Sequence, residues 1–472
     1  MEVFYTPKHA RVGDAIPFYD GDRFRIFYLK NWNPYFGSDR TLGWHMLTTT
    51  DNLHYTEKPT GILGGTGSVI RVGDTYHLFY CVFERNPQRQ YICHAESPDL
   101  LHWTDIPEDK FGPDATIYQL TDWRDPFVFP SPDGNGWWML TSAQGQGNTL
   151  RRGCVGLCKS QDLHHWECCE PFYAPEEYMA AYECPDLFCM NGWWYLIFSQ
   201  SGNRFQTTYR MSRSLSGPWI RPDVDSFDGR AFYAAKTGSD GQKRYLYGWN
   251  PSRTQNSWKV NPNPDHEGYD CNTFDWGGSL VVHELVQRAD GTLGVRPASS
   301  VLGCFPNRNR FLSIPLTGDW KTTETSACVE SPNAYACLIS RNQVPENGRL
   351  SFRFRFSPGT ERLGVAVQVD EDFARGYYFY IDPKRQRLEF KSGIRMHEQG
   401  GWTFPFDVEI ERPMELLPDT EYRADLIVDD SVMVLYVNDT ALSTRVYDLR
   451  ERRFGLIVSD GCASFTQIEL QT

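Results

Sequence analysis

The stretch Asp74–Tyr80, Asp-Thr-Tyr-His-Leu-Phe-Tyr, is a short aromatic strand that follows a turn, and five stretches of this kind occur along the chain. The others are Asp22–Tyr28, Gly136–Thr141, Gly192–Phe198 and Lys243–Trp249. Aromatic residues favour strands. Because the copies begin roughly 50 to 60 residues apart, the sequence indicates a repeat architecture.

A second motif, Ser/Thr-x-Asp-Leu-x-x-aromatic, follows each of the first four aromatic strands. Its clearest copies are Ser97–Trp103 and Ser160–Trp166, with variants at Thr50–Tyr55 and Ser212–Trp219. The motif is typical of a turn between the outer strands of a small sheet. Repeated antiparallel sheets predict a five-bladed β-propeller over residues 1–300.

The sequence changes character after residue 300. Residues 301–319 resemble a linker, and residues 320–472 alternate between apolar and polar side chains. The alternating runs are Leu350–Phe356, Leu363–Val369, Tyr377–Ile381, Tyr422–Val428 and Val432–Val437. This period of two predicts an antiparallel β-sandwich, so the fold class is all-β with two domains.

Composition excludes several classes of function. The net charge of −13, without a basic run, argues against nucleic acids and anionic membrane surfaces as partners. No stretch approaches the roughly 18 apolar residues of a membrane span. Residues 1–7 have neither the basic nor the apolar region of a signal peptide, which predicts a cytoplasmic protein.

The 13 cysteines form no Cys-x-x-Cys pair, and no histidines stand at zinc spacing beside them. We therefore expect free thiols, no metal site and no organic cofactor. The sandwich surface leaves a homo-oligomer open.

Three acidic residues occupy equivalent positions upstream of aromatic strands. Asp14 lies in Val12–Phe18, Asp125 in Trp123–Phe129, and Glu183 in Tyr182–Phe188. A charge in a short apolar strand is costly unless it is used or paired. The innermost strands of a propeller surround one funnel, so these carboxylates are expected to converge there, and cleavage of a glycosidic bond needs two such groups. The alternative is that they cap turns or pair with arginines, which is the role expected of the neighbouring Asp186.

At these residues the chain resembles glycoside hydrolase family 32, which includes invertases, levanases and inulinases. The resemblance rests on Arg124-Asp125-Pro126 and Glu183-Cys184-Pro185, which match that family's Arg-Asp-Pro and Glu-Cys-Pro motifs. The segments Gly43–Tyr55, Gly65–Ser68 and Phe232–Ala235 are similar to further family segments. The resemblance covers the whole chain, because the family carries a β-sandwich after its propeller.

The resemblance implies a retaining hydrolase of β-fructofuranosides such as sucrose, short fructo-oligosaccharides or fructans. Asp14 would be the nucleophile, Glu183 the acid/base and Asp125 the transition-state stabiliser. Arg124 would orient the Asp125 carboxylate. The further substrate-binding candidates, for which blade packing is the alternative role of the aromatic members, are Trp32, Trp44, Ser68, Phe83 and Trp123.

The chain also departs from the family pattern. Gly13–Pro17 stands where the family has Asn-Asp-Pro-Asn-Gly, Leu29 or Lys30 replaces a Gln, and Arg230-Ala231 replaces an acidic position. These changes leave the particular small carbohydrate open. The alternatives are a fructosyltransferase, a fructan dianhydride-forming enzyme, an inverting arabinan- or xylan-active hydrolase, and a non-catalytic carbohydrate-binding protein.

Overall fold

The computed structural model describes residues 2–32, 43–147, 151–177, 181–202, 204–253, 268–270, 274–343, 346–373, 375–393 and 409–472. Over these ranges the regular structure is almost entirely β-strand. The exceptions are a one-turn helix, α1 (Ser299–Gly303), and a 3-10 turn at Pro107–Asp109. No helix in the described ranges is long and apolar enough to cross a membrane.

The first half of the chain forms five blades of antiparallel strands. Blade one contains β1 (Ala10–Tyr19), β2 (Phe24–Trp32), β3 (Gly43–Thr49) and β4 (Thr56–Pro59), and blade two contains β5 (Gly67–Val72), β6 (Thr75–Arg85), β7 (Gln88–Ser97) and β8 (Thr104–Asp105). Blade three contains β9 (Tyr118–Pro130), β10 (Trp137–Gly145), β11 (Gly153–Ser160) and β12 (Glu167–Tyr173), and blade four contains β13 (Ala181–Met190), β14 (Trp193–Ser201) and β15 (Gln206–Ser212). Blade five contains β16 (Tyr233–Ser239), β17 (Arg244–Pro251), β18 (Gly278–Gln287) and β19 (Leu293–Pro297). The five aromatic stretches form or begin the second strand of each blade. The predicted five-bladed propeller is confirmed.

The ring closes between its first and last blades. Strand β1 pairs with β18 at Val12 and Gly278, so blades one and five share one sheet. The first strands of neighbouring blades, β1, β5, β9, β13 and β16, contact one another around the ring. Side chains on these strands can therefore meet although they are far apart in sequence.

The Ser-x-Asp-Leu motif forms the predicted turn between outer strands. The Ser97 hydroxyl accepts a hydrogen bond from the Leu100 amide at 2.9 Å, and the Asp99 carboxylate accepts one from the His102 amide at 2.9 Å. In blade three the copy Ser160–Trp166 makes the same pair of bonds. These side-chain acceptors replace backbone partners that a tight turn cannot supply.

The C-terminal part forms a second β-structure around its own core. Its strands are β20 (Arg308–Asn309), β21 (Ser313–Thr317), β22 (Lys321–Thr322), β23 (Ala327–Ser340), β24 (Asn347–Phe356), β25 (Arg362–Val367), β26 (Tyr377–Asp382), β27 (Arg387–Ser392), β28 (Ile410–Pro413), β29 (Tyr422–Asp429), β30 (Val432–Val437), β31 (Thr440–Arg445) and β32 (Phe454–Gln471). The long β32 pairs with β20, β23, β24 and β25, and the predicted sandwich is confirmed. Strands β20 and β21 arise from residues 301–319.

The two parts share an apolar core and a buried polar seam. Ile427 and Val434 of the sandwich pack in one cluster with propeller residues. Asp228 accepts hydrogen bonds from the amide of Ser443 at 2.7 Å and lies 3.2 Å from a ring nitrogen of His283. Because Asp228 is fully buried, these contacts replace the water that its carboxylate loses.

Candidate active site

Each inner strand that carries a predicted acid is irregular at that acid. Strand pairing shifts between Val12 and Ala15 around Asp14, and between Glu183 and Asp186 in β13. In β9 the shift falls beside Asp125, whose φ is +58°. A bulge re-aims a side chain that a regular strand would direct elsewhere, and such features are common beside active sites.

Asp14 is held by side chains from two other parts of the ring. The Thr66 hydroxyl donates to Oδ2 of Asp14, and Nε1 of Trp249 donates to Oδ1 at 3.1 Å. Burial raises the pKa of Asp14 to about 6, and the nearby charges of Asp125 and Glu183 act in the same direction. The three predicted acids therefore lie close enough for their charges to interact.

Asp125 is almost completely buried, with 4 % of its surface exposed. Its Oδ2 accepts a hydrogen bond from the backbone amide of Cys184 at 2.9 Å, which ties blade three to blade four. Burial raises the pKa of Asp125, the charge of Glu183 adds to this, and the cations Arg124 and Lys236 oppose it.

Both oxygens of Glu183 have partners. Nη2 of Arg124 donates to Oε1 at 2.9 Å, and the Tyr233 hydroxyl donates to Oε2 at 2.6 Å. The Tyr233 ring is stacked on Phe205 with a centroid separation of 3.8 Å. This carboxylate is consequently fixed in orientation by two blades.

Arg124 orients a different acid from the one predicted. Its guanidinium donates to Glu183 and, at 2.7 Å, to Asp122, whereas its Nε lies 3.9 Å from Asp125. The expectation that Arg124 orients Asp125 differs from this hydrogen-bond geometry, which favours the other two carboxylates, whereas the expectation that it helps to keep Asp125 ionised agrees with its lowering of the Asp125 pKa. Arg124 still contributes a positive charge to Asp125.

Trp44 and Trp123 do not form walls of the site. Their exposed fractions are 1 % and 0 %, and both belong to blade cores. In a regular strand Trp123 and Asp125 would share one face. The irregularity at Asp125 separates them, so Trp123 packs inside the propeller while Asp125 lies beside the other two acids, Asp14 and Glu183. The prediction that these two rings contact substrate is wrong in this arrangement.

The remaining predicted binding residues lie in three different settings. The Ser68 hydroxyl accepts from the Val128 amide at 3.0 Å and so joins β5 to β9. The Trp32 ring lies under Nζ of Lys30 at 4.2 Å, and Phe83, near the end of β6, is 56 % exposed. A direct contact of Ser68, Trp32 or Phe83 with substrate stays a prediction.

Several residues of the site were not among the predicted ones: Thr66, Lys236, Trp249 and Trp276, and Tyr233, whose segment was noted only for its similarity. The segments Gly65–Ser68 and Phe232–Ala235 gave a signal for two of them. No signal in the sequence pointed to Trp276. Its ring packs beside Gly13, where a Cβ would come within 2.2 Å of it, so the glycine next to Asp14 makes room for this ring.

Asp186 is structural, as expected. Its Oδ2 accepts hydrogen bonds from the amide and the hydroxyl of Thr237, both at 2.6 Å. Replacing Asp186 by Ala should lower the free energy of unfolding by about 1–3 kcal/mol, because a buried amide loses its partner. Denaturant unfolding measures this, with Asp22→Ala in an exposed turn as the control. A variant as stable as the wild type would contradict the assignment.

Comparisons with known proteins point to one family. A family model described as the glycosyl hydrolases family 32 N-terminal domain matches residues 14–272. Sucrose-6-phosphate hydrolase of Escherichia coli is 23 % identical, over 94 % of this chain and 88 % of its own length. Raffinose invertase of Escherichia coli is 26 % identical, over 90 % and 84 %.

Solved structures share the fold over the full length. Fructan 1-exohydrolase IIa from Cichorium intybus superimposes with a TM-score of 0.73 at 15 % identity, covering 100 % of this chain and 97 % of that one. Sucrose-6-phosphate hydrolase from Lactobacillus gasseri gives a TM-score of 0.71 at 15 % identity, covering 99 % and 93 %. With a family model that spans more than half of its residues and an acid cluster at the corresponding motifs, this chain belongs to glycoside hydrolase family 32.

Proposed function

We propose that the protein hydrolyses β-fructofuranosides with retention of configuration, through a covalent fructosyl-enzyme on Asp14. The observation that carries the proposal is the convergence of Asp14, Asp125 and Glu183 from three blades. Each is held by donors from other blades, and the chemistry needs one attacking carboxylate and one proton donor. The sucrose-6-phosphate hydrolase and invertase relatives support a fructoside as substrate.

In the first step, one oxygen of Asp14 attacks the anomeric carbon while the carboxyl proton of Glu183 passes to the departing oxygen. The C–O bond to the leaving group breaks as the bond to Asp14 forms. The hydrogen bonds from Thr66 and Trp249 fix the attacking carboxylate. In the second step, Glu183 takes a proton from water, which releases fructose and regenerates Asp14.

Asp125 stabilises the positive charge that develops on the sugar ring. Its Oδ2 is held by the Cys184 amide, which leaves Oδ1 for hydroxyl groups of the fructose. Hydrogen bonds from these hydroxyls strengthen as the ring acquires oxocarbenium character. Because Asp125 is buried and fixed by a backbone amide, little reorganisation is needed in the transition state.

The nucleophilic mechanism is tested by the configuration of a transfer product. With sucrose as donor and methanol as an added acceptor, we expect methyl β-fructofuranoside, identified by NMR before any secondary reaction. Methanol intercepts the covalent intermediate from the face that the glucose left, so configuration is retained. The α-anomer as the first product would overturn the mechanism, and absence of cleavage across a panel of β-fructofuranosides would overturn the substrate class.

A further inference from the structure

A second cluster of ionisable side chains lies outside the acid cluster, where blades two and three meet. His94 is on β7, Asp109 ends the short 3-10 turn after β8, and His164 lies in the Ser160–Trp166 turn. Nδ1 of His94 lies 2.6 Å from Oδ2 of Asp109, and Nδ1 of His164 lies 2.7 Å from the same oxygen. The reaction described above uses none of the three.

We propose that His94, Asp109 and His164 form a binding site for a divalent transition-metal ion of the zinc type. The three ligand atoms lie within 4.8 Å of one another. Two imidazole nitrogens and one carboxylate oxygen are a donor set that suits zinc and its neighbours, with water as the fourth ligand. The proposal is independent of the fructosidase activity.

The spacing of the atoms is close to what an ion needs. Bonds of 2.0–2.2 Å in a tetrahedral site place ligand atoms about 3.3 Å apart. The two Nδ1–Oδ2 separations must therefore lengthen by roughly 0.6 Å, which small side-chain rotations supply. The side chains of His94 and Asp109 are 1 % and 8 % exposed, whereas that of His164 is 39 % exposed, so an ion can enter beside His164.

The surroundings of His94 match those of a metal-bound histidine. Its other ring nitrogen, Nε2, lies 3.0 Å from Nδ1 of His77, and the ring is stacked on Phe79 at 4.4 Å. A ligating histidine usually directs its second nitrogen to a hydrogen-bonding partner that fixes the tautomer. Binding of the ion replaces the proton between Nδ1 of His94 and Asp109, and the ring then donates from Nε2–H to Nδ1 of His77.

His164 makes a contact that the other histidines of these turns do not make among the bonds described. His102 and His165 occupy the last position before the aromatic residue in their copies, and each contacts only the aspartate of its own turn, Asp99 or Asp162, among the bonds described. His164, one position earlier, instead reaches across to Asp109 of the neighbouring blade. A bound ion would consequently link two blades.

The test is calorimetric titration of the chelator-treated full-length protein with Zn²⁺, compared among wild type, His164→Asn and the matched control His165→Asn. We expect one site in the wild type and the control, and an affinity at least about tenfold weaker in His164→Asn. Binding in the wild type should also raise Tm as Zn²⁺ increases, because the ion binds the folded state. Asp109→Asn should weaken binding similarly and serves if His164→Asn folds poorly.

Co²⁺ as a probe separates this site from the free thiols, because thiolate ligands give intense near-ultraviolet charge-transfer bands that nitrogen and oxygen ligands lack. We expect a visible Co²⁺ spectrum without those bands. No stoichiometric binding by the wild type would overturn the proposal, as would equal affinities of His164→Asn and His165→Asn. Loss of binding on Glu96→Gln with His164→Asn unaffected would also overturn it, since the ion would then lie at His77, His94 and Glu96.

Discussion

Replacing Asp14 by Asn should lower kcat by at least about 10⁴-fold, because the amide cannot form the covalent intermediate. The same substitution should raise Tm at neutral pH. Burial raises the pKa of Asp14 from 3.8 to about 6 in the folded protein, so above pH 6 the folded state carries a charge that it disfavours. The shift corresponds to at most about 3 kcal/mol of lost stability.

The sign of this effect sets the pH at which it appears. A carboxyl group with a raised folded pKa loses its stabilising contribution as the pH rises from 3.8 towards 6. Asp14→Asn should therefore melt above the wild type at pH 7.5 and close to it below pH 4, as measured by calorimetry. In the wild type, kcat/KM should fall as the pH decreases below about 6, because attack requires the ionised carboxylate. Near-normal turnover of the variant would exclude Asp14 as the nucleophile.

Replacing Glu183 by Gln should lower kcat on sucrose by about 10²–10⁴-fold, because the leaving oxygen no longer receives a proton. The defect should shrink for a fructoside with an acidic phenol as leaving group, since that oxygen departs without protonation. Azide should then restore turnover and yield β-fructosyl azide, because a small anion needs no general base. Chromatography and NMR of the products measure both effects.

The matched control is Glu284→Gln on β18, whose buried carboxylate pairs with Arg296 and Lys243 of the same blade. This variant should keep a kcat close to that of the wild type. If Glu183→Gln loses activity equally on all leaving groups and azide has no effect, Glu183 orients the site and does not transfer the proton.

The architecture could be predicted because its signals are local. Each aromatic strand and each Ser-x-Asp-Leu turn is encoded in fewer than about ten consecutive residues, and the repeat period then fixes the blades. The acids were found in the same way, since Asp14, Asp125 and Glu183 occupy equivalent places in their repeats. Knowledge of the repeat thus located the three carboxylates.

The partners of those acids could not be predicted, because they come from ring closure. Trp249 reaches Asp14, and Tyr233 reaches Glu183, only when blade five meets blades one and four. Trp123 was misplaced for a different reason, since sequence periodicity does not reveal the irregularity at Asp125. The cluster of His94, Asp109 and His164 could not be predicted from metal-binding motifs because its members are distant in sequence and lie on two blades.

The buried seam at Asp228 has a consequence for truncation of this enzyme and for recombination with related proteins. Asp228 lies five residues before Tyr233, and its carboxylate accepts a hydrogen bond from Ser443 of the C-terminal half in addition to its contact with His283. In a protein shortened to its first 300 residues, Asp228 would lose its contact with Ser443, and the apolar cluster that contains Ile427 and Val434 would be exposed to water near the strand that carries Tyr233. We therefore expect each half alone to be less stable than the whole chain, and a hybrid with a related protein to need a C-terminal half whose contact face matches this seam.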